Sequence, residues 1–175
     1  GIRQAVRYLW SKGHDRIGFL GGEPDSIVTI ERKQAYSDAL AELGLVEDPA
    51  AVKYGCFSAK GTKKRILEIA ETGVTAVVCI SDLLACTAVK ELIHAGYSVP
   101  EDISVTGYDN LPPSEYSQPP ITTLSQNRIH IGKMTFFMLQ QMKNGIRIKS
   151  LMLRPELIER ESVREICSRE LPKEK

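Results

Sequence analysis

Residues 103–126 read ISVTGYDNLPPSEYSQPPITTLSQ, and the parsing of this stretch decides the fold. Ile103, Val105 and Thr106 make a β-branched run that predicts a strand. The run stops at Gly107, presents the carboxylate of Asp109, and enters a loop stiffened by Pro112, Pro113, Pro119 and Pro120. A carboxylate displayed where a buried strand ends asks for a partner, and the flanking sequence supplies candidates.

Working toward the N-terminus, the same unit recurs. TAVVCI (75–80) predicts a strand, and Asp82 can N-cap the following helix, whose Ala85, Ala88, Val89 and Leu92 form an apolar stripe with Gly96 beyond its end. Before these come a helix over 59–71 stopped near Gly73, a strand around AVKYG (51–55) and a helix over about 28–43. RIGFLGG (16–22) is a further short strand ending in glycine, preceded by a helix on which Ile2, Val6, Leu9 and Trp10 recur at helical spacing and which Gly13 can close. Strands alternating with helices of this length predict an α/β fold: a doubly wound parallel sheet with helices on both faces. In such sheets ligands sit at the carboxyl ends of the strands. The loop after Leu20, Phe57 with Ser58, Ser81 with Asp82, and Asp109 should therefore share one edge.

The C-terminal third is different. A helix over 127–143 carries Ile129, Ile131, Met134, Phe136, Phe137, Met138, Leu139 and Met142, more apolar surface than one face can hold. LMLRP and ELIERESV then look β-like, and the charged end CSRELPKEK is expected to fray.

Composition narrows the function. At 175 residues, 42% apolar and 26% charged, the chain predicts one soluble globular domain. With 23 Lys and Arg against 22 Asp and Glu, net charge +1 and no basic stripe, it is a poor nucleic-acid binder by itself. Apolar runs fall short of the roughly 20 residues a membrane helix needs, and no apolar leader opens the sequence, so a cytoplasmic location is expected. Cys56, Cys79, Cys86 and Cys167 lack paired spacing, which predicts thiols rather than a metal site or a disulfide framework. GxSxG, HExxH and GxxxxGK[ST] are absent, GFLGGEP lacks dinucleotide-loop spacing, and His14, His94 and His130 have no evident nucleophile partner. No catalytic residue, cofactor or metal is expected, although Asp82 with Asp109 leaves open an enzyme that uses two carboxylates on a metal.

A binding role fits the candidates better. A polyhydroxylated ligand such as a sugar is held by a carboxylate that accepts, a guanidinium that donates, and an aromatic ring over its apolar face. Asp109, Arg32 and Phe57 supply one of each.

YLWSKGHDRIGFLGG, ERKQAYSDAL, FSAKG, the run TAVVCISDLLACTAVKELIHAGYSVPEDISVTGYDN, PPITTLSQ and LIERESV, taken in order, resemble the LacI/GalR family of bacterial transcriptional regulators, from residue 1 to about 163. GYSVPEDISVTGYDN followed by ITTLSQ is the specific part; periplasmic sugar-binding receptors share the core. The resemblance implies a two-lobed periplasmic-binding-protein-like fold with an effector in the cleft between the lobes. Residues 1–123 and 156–164 would form the C-terminal lobe, 124–155 a fragment of the N-terminal lobe, and 165–175 a tail, with the DNA-binding headpiece outside this chain. It implies Arg32, Phe57, Ser81, Asp109 and Gln126 as ligand contacts, and Leu83, Cys86 and Tyr116 on a homodimer face. It further implies a repressor that binds operator DNA through an N-terminal helix-turn-helix, without a membrane partner. The alternative is a periplasmic-type sugar receptor for transport or chemotaxis. Ser26 and Val28 stand where purine-responsive members resemble each other in having Arg and Thr, which argues against a purine effector.

Overall fold

The computed structural model describes residues 1–55 and 59–171. Helix α1 (Ile2–Ser11) leads into β1 (Ile17–Gly21) and α2 (Ile27–Glu42). A 3-10 turn (Pro49–Ala51) precedes β2 (Val52–Tyr54), followed by α3 (Ala59–Glu71), β3 (Ala76–Cys79), α4 (Asp82–His94) and β4 (Ser104–Tyr108). The short α5 (Pro112–Tyr116), β5 (Thr122–Ser125), α6 (Arg128–Lys143) and β6 (Glu156–Ile158) complete the order.

Six strands form one sheet in the order β2-β1-β3-β4-β5-β6. The first five are parallel, and β6 pairs antiparallel with β5. The expected parallel doubly wound sheet is present, with this edge strand as the exception. Helices α1 and α2 pack together on one side, α3 and α4 on the other, as right-handed crossovers on a sheet whose order reverses at β1 and β3 require. The central strands are buried throughout, which is why IGFLG and AVVC are continuous apolar runs rather than alternating ones. Tyr36, fully buried from α2, donates its hydroxyl to the Ile17 carbonyl at 2.7 Å and so carries no unmet polar group into the core.

Four local expectations are corrected. Ser81, not Asp82, N-caps α4: its hydroxyl accepts the Leu84 amide at 3.3 Å, while Asp82 is the first helical residue and turns inward. Residues 151–155 form no strand, and only Glu156–Ile158 of the following segment pairs. The tail does not fray through residue 169. The amides of Ile166 and Arg169 donate to the Lys12 and Ser11 carbonyls at 2.8 and 2.9 Å, where the end of α1 leaves acceptors without helical donors. Gly13, at φ +92°, leaves room for this; a Cβ there would lie 2.6 Å from the Cys167 nitrogen. Finally, α6 buries none of its residues.

Candidate functional site

At the carboxyl edge of the sheet, β4 delivers Asp109 with φ +104° and Asn110 with φ +50°, two consecutive non-glycine residues in positive φ. Such backbone persists only where surrounding contacts impose it. The Asp109 amide donates to the Leu124 carbonyl at 2.8 Å, tying the turn to β5. Its Oδ1 accepts from Gln126 Nε2 at 2.8 Å and lies 3.8 Å from Nη2 of Arg32.

Arg32 projects from the second turn of α2. Its guanidinium lies over the Tyr108 ring, 3.9 Å from the centroid, and its Nη1 donates to the Ile80 carbonyl at the end of β3. Arginine stacked and hydrogen-bonded in this way is held in one orientation. Three strand ends and one helix therefore converge on a guanidinium, a carboxylate, a carboxamide and an aromatic ring. Burial raises the Asp109 carboxyl above its usual range; Arg32 and Gln126 oppose that shift, while Asp82 adds to it. The Tyr108 phenol is raised by burial, against the nearby Arg32 charge.

The structure brings Arg32, Asp109 and Gln126 together. Ser81 sits next to Ile80 at the same edge, but its hydroxyl caps α4. Phe57 lies outside the described residues. Leu83, Cys86 and Tyr116 lie on α4 and α5, which touch each other; Leu83 and Tyr116 are exposed and Cys86 is half-buried. Tyr108 was not singled out in the sequence, although the signal was there: it stands directly before the carboxylate, at the last position of a strand. A separate cleft of about 650 Å³ lies between α1 and residues 154–157, bordered by Arg3, Arg7, Tyr8, Arg154 and Leu157, and includes none of the Asp109 group.

The Arg32, Asp109, Gln126 and Tyr108 side chains offer a donor, an acceptor, a carboxamide and a ring face side by side. Both Asp82 oxygens are engaged, with the Thr123 hydroxyl and the Leu111 amide each at 2.6 Å, and the residue is buried, which raises its carboxyl. Among the described residues no group of three or more His, Cys, Asp and Glu could hold a metal ion. His14 is buried between Thr75 and the Arg164 carbonyl, so its imidazole braces the C-terminal segment.

Comparison with known proteins gives a consistent picture. A family described as periplasmic binding protein-like domain matches residues 6–163. The HTH-type transcriptional repressor PurR of Vibrio atlanticus is 35% identical over 91% of this chain and 49% of its own length. A LacI-family sugar-binding transcriptional regulator from Escherichia coli, solved with phosphate, superposes with TM-score 0.86 at 28% identity, over 94% of this chain and 60% of that one. The lac repressor dimer bound to operator and the anti-inducer ONPF gives TM-score 0.84 at 28% identity, over 94% and 58%. The chain spans about half the length of the curated relatives it matches.

Proposed function

The chain belongs to the periplasmic binding protein-like domain family, in the form that LacI-type regulators carry, and from that premise we propose that it is the effector-sensing part of a LacI/GalR-type transcriptional repressor. A sugar or sugar-derived molecule binds in a cleft between two lobes, and its different affinity for two lobe arrangements changes operator affinity. The protein acts as a cytoplasmic homodimer and meets DNA through a helix-turn-helix outside this chain.

The observation that carries this reading is the Arg32, Asp109, Gln126 and Tyr108 group at the sheet edge. Asp109 accepts from ligand hydroxyls with the lone pairs that Gln126 does not occupy. Arg32, fixed by Tyr108 and Ile80, donates beside it, and Ser81 stands at the same edge. The charges of Arg32 and Asp109 offset each other, which suits a polyhydroxylated ligand. The relatives are named as repressors, which supports a regulator over a periplasmic-type receptor.

The test is a thermal-shift screen of the intact protein against neutral sugars, sugar phosphates and nucleosides, with Asp109→Ala alongside. A charge-assisted hydrogen bond in a dry cleft predicts a loss of about 2 to 4 kcal/mol of binding in the variant. A compound that stabilises the wild type and Asp109→Ala equally would overturn the assignment.

A further inference from the structure

The turn that presents Asp109 is held from two sides by residues that do not themselves reach the site. On one side is Asp82, fully buried at the start of α4. Its Oδ2 accepts the Leu111 amide at 2.6 Å and its Oδ1 accepts the Thr123 hydroxyl at 2.6 Å, so it ties the turn both to α4 and to β5. The carboxylate crosses directly over Gly107: a Cβ there would collide with Asp82 Oδ1 and lie 3.3 Å from the Ala85 Cβ. That contact explains the glycine two residues ahead of Asp109.

On the other side is Arg160, just past β6. Its Nη2 donates to the Asn110 side-chain oxygen at 2.8 Å, and its Nη1 to the Ile121 carbonyl at 2.8 Å and the Ser114 hydroxyl at 3.3 Å. Ser114 in turn donates to the Leu111 carbonyl at 2.7 Å, so the Arg160 fork and the Asp82 carboxylate both reach residues 110–114. Asn110 and Asp109 are the two consecutive positive-φ residues of this turn. Non-glycine residues populate this region of φ sparsely, so the turn keeps this shape only while its neighbours enforce it.

We infer that Asp82 and Arg160 are positioning residues which hold the strained 109–111 turn and thereby aim the Asp109 carboxylate at Arg32 and the ligand. Arg160 acts through its fork, since three acceptors in three directions need a planar guanidinium; a lysine ammonium in the same place cannot reach all of them. The inference rests on the ligand-binding role proposed for Asp109, but its test uses no ligand.

The test is amide hydrogen exchange on the intact protein, comparing wild type with Arg160→Leu, Arg160→Lys and Asp82→Asn. Peptides covering 109–116 should exchange about 10-fold faster in all three variants, with those of β1 and β3 unchanged. The Asp109 carboxyl, followed by carbon NMR in Arg160→Leu, should titrate closer to its ordinary range as water enters the loosened turn. Unchanged exchange over 109–116, full protection restored by Arg160→Lys, equal acceleration in β1 and β3, or an unmoved Asp109 titration would each overturn the inference. A loosened turn together with unweakened ligand binding in Asp109→Ala would instead overturn the function proposed above and leave the clamp itself demonstrated.

Discussion

The central sheet and helix α6 are both rich in large apolar residues, yet they meet opposite fates. Phe19, Leu20, Val77 and Val78 are 0% exposed, whereas Phe136 and Phe137 are 64% and 52% exposed. The strands find helices on both faces. Helix α6 carries apolar side chains around its whole circumference and leaves the body of the fold after β5 with nothing covering it among the described residues. Apolar composition thus describes a demand for burial, and only topology decides whether the chain meets that demand itself. An exposed surface of this size on an otherwise well-packed domain marks a place for another surface.

The comparison predicts a large asymmetry under truncation. Phe19→Ala, in the core against Tyr36 at a ring-centroid distance of 5.1 Å, should cost about 3 to 5 kcal/mol in urea denaturation of this chain. Phe136→Ala should cost no more than about 0.5 kcal/mol. A comparable loss at both positions would break the contrast, because it would mean that α6 is covered in solution.

The parts legible in sequence are those that use period and punctuation. The helix ends were marked by Gly13, Gly73 and Gly96, which adopt φ of +92°, +75° and +94° where a Cβ is disfavoured. The place of Asp109 at the sheet edge is legible because strand ends converge there; its neighbour Gln126 follows the end of β5, and Arg32 comes from a helix, which no strand-end rule gathers. A Ser-Asp pair ahead of a helix offers two equally good caps, and only the fold shows that Asp82 is taken up by Thr123 and Leu111. The docking of residues 166–169 on α1 was invisible because the donors are backbone amides, which have no sequence signature. Tyr108 stayed hidden because an aromatic at a strand end reads equally well as core.

A second surface sharpens the same contrast. Leu83 on α4 and Tyr116 on α5 are exposed beside the half-buried Cys86, on elements that are themselves firmly packed. If this is the homodimer face, placing a like charge opposite its own copy at Leu83→Glu should weaken dimerisation of the intact protein by about 10 to 100-fold, because each subunit meets the same residue across a two-fold axis. Sedimentation velocity over a concentration series reads this directly. An unchanged dimer in both Leu83→Glu and Tyr116→Ala would move the interface elsewhere, with α6 the next surface to test.

The smallest effect lies where the two ends of the chain meet. Burial lowers the His14 pKa from its ordinary value near 6.5; the Arg164 and Arg169 charges push the same way, while the hydrogen bond to the Arg164 carbonyl and the Asp15 charge oppose it. A base whose folded pKa lies below its unfolded one binds more protons unfolded in the window between the two. Its contribution to stability is therefore complete above about pH 6.5 and declines as pH falls through that window toward the folded pKa. Urea denaturation between about pH 7.5 and pH 5 should show this decline in the wild type and a shallower one in His14→Gln, where no imidazole remains to titrate. Equal slopes would show that His14 does not set the decline; Asp15, held below its usual range chiefly by its hydrogen bonds to Arg169, loses its own contribution only at lower pH, as its carboxyl protonates.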